Sequence, residues 1–136
     1  SIPAKLRSEV IRRALGRCEY CRISQAGQEA VFHVDHIHPV ACGGPTELSN
    51  LALACVSCSL RKGARLKAGD PKSGDQAPLF HPRAQRWQDH FRWSAFRVIG
   101  RSSTGRATVE LLRMNRETAL AIRAEEARLG DILQSE

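Results

Sequence analysis

The sequence predicts a small α+β domain whose short helices and strands are held together by a metal site. Four thiols come from two Cys-x-x-Cys pairs, Cys18/Cys21 and Cys55/Cys58. Between the pairs, residues 30–35 and 50–54 have the composition of short strands. Apolar residues recur at three- and four-residue steps near both ends of the chain, which indicates helices. A chain of 136 residues fits one domain with an appendage.

The first half of the chain predicts a helix followed by a strand. A helix is expected over residues 1–16, with Ser1 as its cap and Gly16 as its stop. The first Cys-x-x-Cys pair follows it as a tight turn. The first strand then runs through residues 30–35 and ends at Pro39, which cannot continue the hydrogen-bonding ladder.

A second strand and a helix are predicted around the second Cys-x-x-Cys pair. Residues 42–45, Cys-Gly-Gly-Pro, force a loop. The strand at 50–54 leads directly into Cys55, and a helix is expected from Ser59 to about Lys67. The predicted local order is therefore strand, loop, strand, turn and helix.

The C-terminal half predicts a linker, a hairpin and a closing helix. Residues 69–78 are polar and rich in turn formers, as a linker would be. Residues 96–99 and 107–112 are β-forming and are separated by a Gly/Ser-rich segment, which predicts a β-hairpin. Residues 115–129 have the pattern of an amphipathic helix. The single domain, 1–136, is thus expected to consist of a core, a linker and a C-terminal extension, at residues 1–68, 69–78 and 79–136.

Composition favours a polyanionic partner and a reducing compartment. The formal net charge is +7, and arginine, whose planar fork suits phosphate, outnumbers lysine. The alternative is a basic surface that only aids solubility. No apolar run is long enough to span a membrane and no signal pattern opens the chain, so a cytoplasmic location is expected. In that setting paired cysteines indicate metal binding, with Cys42 left as a free thiol.

The four paired cysteines predict a structural zinc site. Each Cys-x-x-Cys turn can bring two sulfurs to one ion, and four thiolates complete a tetrahedral shell with no open position. The alternative is that the four thiols are merely buried. Their regular spacing around the His/Asp cluster of residues 33–38 favours the zinc site.

The assembled pattern resembles the HNH endonucleases, the His-Me finger family, in the branch with a four-cysteine zinc. The resemblance covers residues 18–63 and depends on the two cysteine pairs and three further segments: Val34-Asp35-His36-Ile37-His38-Pro39, Gly43-Gly44-Pro45-Thr46-Glu47-Leu48-Ser49-Asn50-Leu51 and Arg61-Lys62-Gly63. It implies a ββα-metal fold with one catalytic divalent cation, usually Mg²⁺ or Mn²⁺. It also implies that Asp35 binds this cation, that His36 takes a proton from the attacking water, and that Asn50 holds the loop that aims His36.

One position departs from the family pattern. Directly after Cys58 the family commonly carries a His or Asn that helps to bind the catalytic cation, whereas this chain has Ser59. A hydroxyl is a weaker ligand than an imidazole, so Ser59 could ligate directly, act through water or cap the following helix. If side chains alternate between the two faces of this strand, His33 and Asp35 lie on the same face. His33 could shape the metal pocket or be a structural histidine.

The chemistry of the residues agrees with that resemblance. A hard cation prefers a carboxylate such as Asp35, and a neutral imidazole such as His36 can accept a proton near neutral pH. We therefore predict a metal-dependent endonuclease that hydrolyses DNA, most simply double-stranded DNA. Four basic residues after the second cysteine pair are expected to bind its backbone: Arg61, Lys62, Arg65 and Lys67. The alternatives are a catalytically weakened or inactive zinc-stabilised DNA-binding module and a zinc-stabilised protein-interaction domain.

Overall fold

Short helices and two-stranded antiparallel sheets alternate along the chain. The computed structural model describes residues 2–130. The helices in this range are α1 (Ala4–Arg13), α2 (Val56–Lys62), α3 (Trp87–His90), α4 (Ser103–Leu112) and α5 (Glu117–Arg128). Its strands are β1 (His33–His36), β2 (Leu51–Ala54), β3 (Lys67–Gly69), β4 (Gln76–Pro78), β5 (Phe91–Ser94) and β6 (Arg97–Gly100). Two 3₁₀ turns, Val40–Cys42 and Leu48–Asn50, lie in the loop between β1 and β2.

The β1–β2 hairpin and α2 form the centre of the fold. The strands are antiparallel, and their register pairs His33 with Ala54 and His36 with Leu51. Strand β2 is buried along its whole length, which explains its uniformly apolar sequence. Helix α2 starts directly after β2 and packs on both strands. This arrangement confirms the predicted ββα core.

Helix α1 covers the β1–β2 hairpin and is anchored by arginine side chains. The predicted cap Ser1 lies outside the described residues, and Pro3 precedes the first helical residue. Val10 is completely buried in the core. Arg7 donates to the carbonyl oxygen of Phe32 at 3.1 Å, and Arg13 donates to the carbonyl oxygen of Leu51. Part of the basic charge at this end therefore fixes the helix to the strands.

The predicted hairpin of the extension is wrong in its second strand. Strand β5 pairs with β6, whereas residues 107–112 belong to helix α4. The Ser102 hydroxyl caps α4 by accepting from the backbone N–H of Gly105 at 3.0 Å, so the segment predicted as a turn begins a helix instead. Thr108 stays helical because its hydroxyl donates to the carbonyl oxygen of Thr104 at 2.7 Å.

The predicted linker carries its own structure. Strands β3 and β4 form a hairpin across residues 67–78. Asp70, 1% exposed, accepts from the Arg106 guanidinium through both carboxylate oxygens, at 3.0 and 2.8 Å. This bidentate pair attaches the hairpin to α4. Asp70 also accepts from the backbone N–H of Lys72 and the hydroxyl of Ser73, which shapes the turn.

One hydrophobic cluster includes residues of both the core and the extension. Phe80, Trp87 and Phe91 pack with the buried residues of β2 and of the first cysteine turn. The indole N–H of Trp87 donates to the carbonyl oxygen of Tyr20 at 2.9 Å. None of the helices within residues 2–130 combines the length and apolarity that crossing a membrane requires.

Candidate metal centre and active site

The four paired cysteines converge in the interior. Cys18 and Cys21 lie in a turn after α1, and Cys55 caps the N-terminus of α2, which carries Cys58 in its first turn. Both turns use the same local geometry. The backbone N–H of Cys21 donates to the sulfur of Cys18 at 3.4 Å, and that of Cys58 donates to the sulfur of Cys55 at 3.4 Å. All four ligand sulfurs lie within 4.8 Å of one another.

The sulfur spacing fits a tetrahedral zinc ion. Zn–S bonds of about 2.3 Å place the sulfurs of a tetrahedral site about 3.8 Å apart. The Cys21 and Cys55 sulfurs are 3.7 Å apart. Burial raises the pKa of Cys18, whereas hydrogen bonds from the other thiols, that of Cys18 foremost, lower the pKa of Cys21. Four thiols so placed are positioned to bind a metal ion, and an all-thiolate shell suits zinc. Cys42 lies outside the cluster as an exposed free thiol.

Two arginines of the extension contact the cysteine turns, and the sequence interpretation missed both. Arg116, at the start of α5, lies with its guanidinium 3.6 Å from the sulfur of Cys55. Arg123 is completely buried and donates to the carbonyl oxygens of Cys21, Met114 and Phe96. Four thiolates around a divalent ion leave excess negative charge, which these guanidinium groups offset. No local pattern links α5 to cysteines so far away in the sequence.

The face of β1 that carries His33 and Asp35 lies against α2. The two residues are two positions apart in the strand, so their side chains leave it on the same side. Each is half-buried. The Nδ1 atom of His33 is 2.8 Å from the hydroxyl of Ser59. Farther along α2, the ammonium of Lys62 has its pKa lowered by burial, and the negative charge of Asp35 opposes this shift.

His36 lies at the end of β1, where the loop to β2 begins. Its Nε2 atom is 2.8 Å from the hydroxyl of Thr46, an exposed residue in that loop. Adjacent residues of a strand point to opposite faces, so His36 leaves β1 on the side away from Asp35. The structure therefore places the side chains of Asp35 and His36 on opposite faces of β1, at the C-terminal end of the strand.

Asn50 fixes the loop between the two strands. It is 6% exposed, and its side-chain oxygen accepts from the backbone N–H of His38 at 2.8 Å. Its amide group donates to the carbonyl oxygens of His38 and Pro45, at 3.0 and 2.9 Å. Gly44 passes so close to His38 that an added Cβ would lie 1.8 Å from the carbonyl oxygen of His38. These contacts fix the segment that follows His36.

The four basic residues predicted to bind DNA differ in exposure. Arg61, Arg65 and Lys67 are exposed, although α2 ends at Lys62, so Arg65 follows the helix and Lys67 begins β3. Lys62 is 3% exposed, and its ammonium donates to the carbonyl oxygen of Ile37 at 2.9 Å. The expectation that Lys62 contacts a phosphate is therefore wrong in this structure. It joins α2 to the residue that follows His36.

Comparison with known proteins gives one match. Residues 18–65 match the family model described as HNH endonuclease. This range contains both cysteine turns, β1, β2 and α2. Searches of the curated proteins and of the solved structures found no match.

Proposed function

We propose that this chain, whose residues 18–65 match the HNH endonuclease family model, is a metal-dependent endonuclease that hydrolyses phosphodiester bonds of double-stranded DNA. The proposal depends most on one observation. His36 and Asp35 are adjacent at the end of a strand that pairs with β2 and packs against α2. Such a strand end can present a proton acceptor and a cation ligand to the same phosphate.

We assign His36 as the general base. Its Nε2 atom faces the Thr46 hydroxyl at 2.8 Å. If Nε2 carries the proton and donates to Thr46, the lone pair of Nδ1 is left to accept a proton from water. Asn50 supports this role by holding the loop that contains Thr46 and that follows His36. Thr46 and Asn50 are thus positioning residues.

We assign Asp35 as a ligand of the catalytic Mg²⁺ or Mn²⁺. A carboxylate suits a hard cation, which keeps its other positions for water and substrate oxygens. When bound, the cation stabilises the charge on the leaving oxygen. The zinc of the cysteine cluster is structural in this proposal because four thiolates leave no open position.

The exposed basic residues support DNA as the substrate. Arg61, Arg65 and Lys67 are exposed and lie on and after α2, the helix that packs on β1. Contacts of this kind hold the DNA backbone without reading its sequence. If about three phosphates are neutralised, the logarithm of the binding constant should fall with the logarithm of salt concentration with a slope of about −3.

A supercoiled-plasmid assay with Mg²⁺ or Mn²⁺ tests the proposal. We expect nicking or linearisation by the zinc-loaded protein and its loss in His36→Ala, with DNA binding retained. His90→Asn is the matched control, because His90 lies in the extension and the Asn amide can occupy the position of Nδ1, which is 2.6 Å from the Ser102 hydroxyl.

A second candidate function is a zinc-stabilised DNA-binding module without catalysis. It is favoured by Ser59, whose hydroxyl faces His33 instead of providing the usual His or Asn ligand. DNA binding without nicking in any divalent metal would support this module and would refute the endonuclease.

A further inference from the structure

Two potential metal-ligating side chains, those of His33 and Asp35, leave β1 on the same face. His33 and Asp35 are paired across the sheet with Ala54 and Ala52. The cross-strand neighbours of the imidazole and the carboxylate therefore contribute only methyl groups to this face. Side chains two residues apart on one strand face are about 7 Å apart at their Cα atoms, so both can reach one ion.

Ser59 holds the His33 ring in a fixed orientation. The Ser59 hydroxyl is 2.8 Å from Nδ1 of His33, which leaves Nε2 as the ring nitrogen available to a cation. A metal-binding histidine normally has its other nitrogen hydrogen-bonded to a residue that orients the ring. Ser59 directly follows Cys58, so the buried cysteine cluster fixes the position of its hydroxyl.

We propose that His33 is the second protein ligand of the catalytic cation and that Ser59 is the positioning residue that orients it. This inference rests on the proposed function, since it concerns the cation that Asp35 holds. It explains the departure at position 59. The imidazole reaches the cation from strand β1 instead of from helix α2, and the helix supplies a hydroxyl that hydrogen-bonds the imidazole.

The ligand set determines which ions bind well. One carboxylate and one imidazole favour first-row transition ions, whereas a site with only oxygen ligands suits Mg²⁺. The site should therefore prefer Mn²⁺ to Mg²⁺ by a larger factor than a site formed by Asp35 alone. A purely structural His33, which only joins β1 to α2, would not affect this preference.

Binding of Mn²⁺ to the zinc-loaded full chain tests the inference without measuring catalysis. We expect Ser59→Ala to weaken Mn²⁺ binding by about tenfold, and His33→Ala by at least as much. Each variant should also reduce the ratio of Mn²⁺ to Mg²⁺ affinity. Ser57→Ala is the matched control, because Ser57 lies on the same helix and contacts Arg61 at 3.2 Å. It should retain the affinity of the unchanged protein.

Two further measurements separate a ligand from a structural histidine. In the unchanged protein, the pulsed EPR signal of bound Mn²⁺ should carry the modulation of a directly coordinated imidazole nitrogen, and folded His33→Ala should lack it. In the double variant His33→Ala/Ser59→His, the imidazole returns to α2, so Mn²⁺ affinity should recover relative to His33→Ala. Thermal unfolding of each variant checks that it is folded.

The possible failures have different meanings. A Mn²⁺ signal without imidazole nitrogen modulation, or Mn²⁺ affinity that is unchanged in folded His33→Ala while Asp35→Asn abolishes binding, would overturn the role of His33 alone. Mn²⁺ binding that is unaffected by Asp35→Asn would overturn both this inference and the proposed catalytic cation.

Discussion

Replacement of Asn50 by alanine should weaken the protein and, separately, misplace His36. The side chain bonds the backbone of His38 twice and that of Pro45 once, at distances of 2.8 to 3.0 Å. Each such bond contributes about 1 kcal/mol net, so their loss should reduce the free energy of unfolding by about 3 kcal/mol. Water can reach the exposed His38 in the variant, which makes this figure an upper value.

The loss of activity should exceed what the loss of stability explains. His36 is two residues before His38, and its partner Thr46 directly follows Pro45, so both ends of the catalytic hydrogen bond lie next to Asn50 contacts. A displacement of about 1 Å in a catalytic group can cost about 100-fold in rate. We expect a plasmid-nicking rate about 100-fold lower at a temperature where Asn50→Ala is still folded.

Asn115 provides a matched control in the extension. Its side chain makes a similar clamp, accepting from the N–H of Val98 at 2.7 Å and donating to the carbonyl oxygen of Val98 at 2.9 Å. Asn115→Ala should lose about 2 kcal/mol of stability in urea unfolding and keep its nicking rate while folded. Equal nicking rates in folded Asn50→Ala and Asn115→Ala would refute the positioning role of Asn50.

Three further predictions concern the metal cluster, the loop and the β3–β4 hairpin. Cys55→Ala should abolish the cooperative thermal transition, as should strong chelation of zinc; a variant that unfolds like the unchanged protein would refute a structural metal. Gly44→Ala should lower the free energy of unfolding by about 1–3 kcal/mol in urea and slow nicking, because the added Cβ would overlap the carbonyl oxygen of His38. Gly27→Ala is the control and should keep the nicking rate, because its added Cβ would meet nothing within 4 Å. The bidentate hydrogen bond from Arg106 is the main reason that the pKa of Asp70 lies well below its ordinary value. Above about pH 4 this carboxylate is ionised in both the folded and the unfolded chain, and its pairing with Arg106 contributes fully to stability. That contribution is lost as the pH falls toward the pKa of Asp70 in the folded protein. The stability difference between the unchanged protein and Asp70→Asn should thus be constant from pH 7 to 5 and shrink in acid; a difference that grows in acid would contradict the pairing.

The core was predictable because its signals are local. Each cysteine pair lies within one turn, and the short strands are bracketed by Pro39 and by Cys55. The structure brings the four sulfurs together as the spacing indicates, and β1, β2 and α2 each begin within about three residues of the predicted start, although α2 ends at Lys62 and not near Lys67. Local sequence patterns were enough to predict the core, because the metal cluster and the hairpin join segments that the cysteine spacing and the flanking residues Pro39 and Cys55 make recognisable.

The extension was less predictable because its structure depends on distant partners. Residues 107–112 have strand-forming composition, but Ser102 caps a helix and Thr108 satisfies its hydroxyl inside it. The segment at 69–78 has the composition of a linker, yet Asp70 is buried against Arg106. Neither partner lies close enough in sequence for a local pattern to reveal the pair.

Not all of the basic residues that give the chain its net charge of +7 are available to bind DNA. Arg123 is completely buried among backbone carbonyls, and Lys62 is 97% buried against Ile37. Arg106, whose side chain is 28% exposed, is paired with the buried carboxylate of Asp70. These cations hold the core and the extension together, so they add nothing to a DNA-binding surface. The attraction for DNA must therefore come from the exposed basic residues, and around the proposed active site these are Arg61, Arg65 and Lys67. Since Arg61 lies on α2 and the other two follow that helix in sequence, the DNA backbone is expected to lie along the α2 segment.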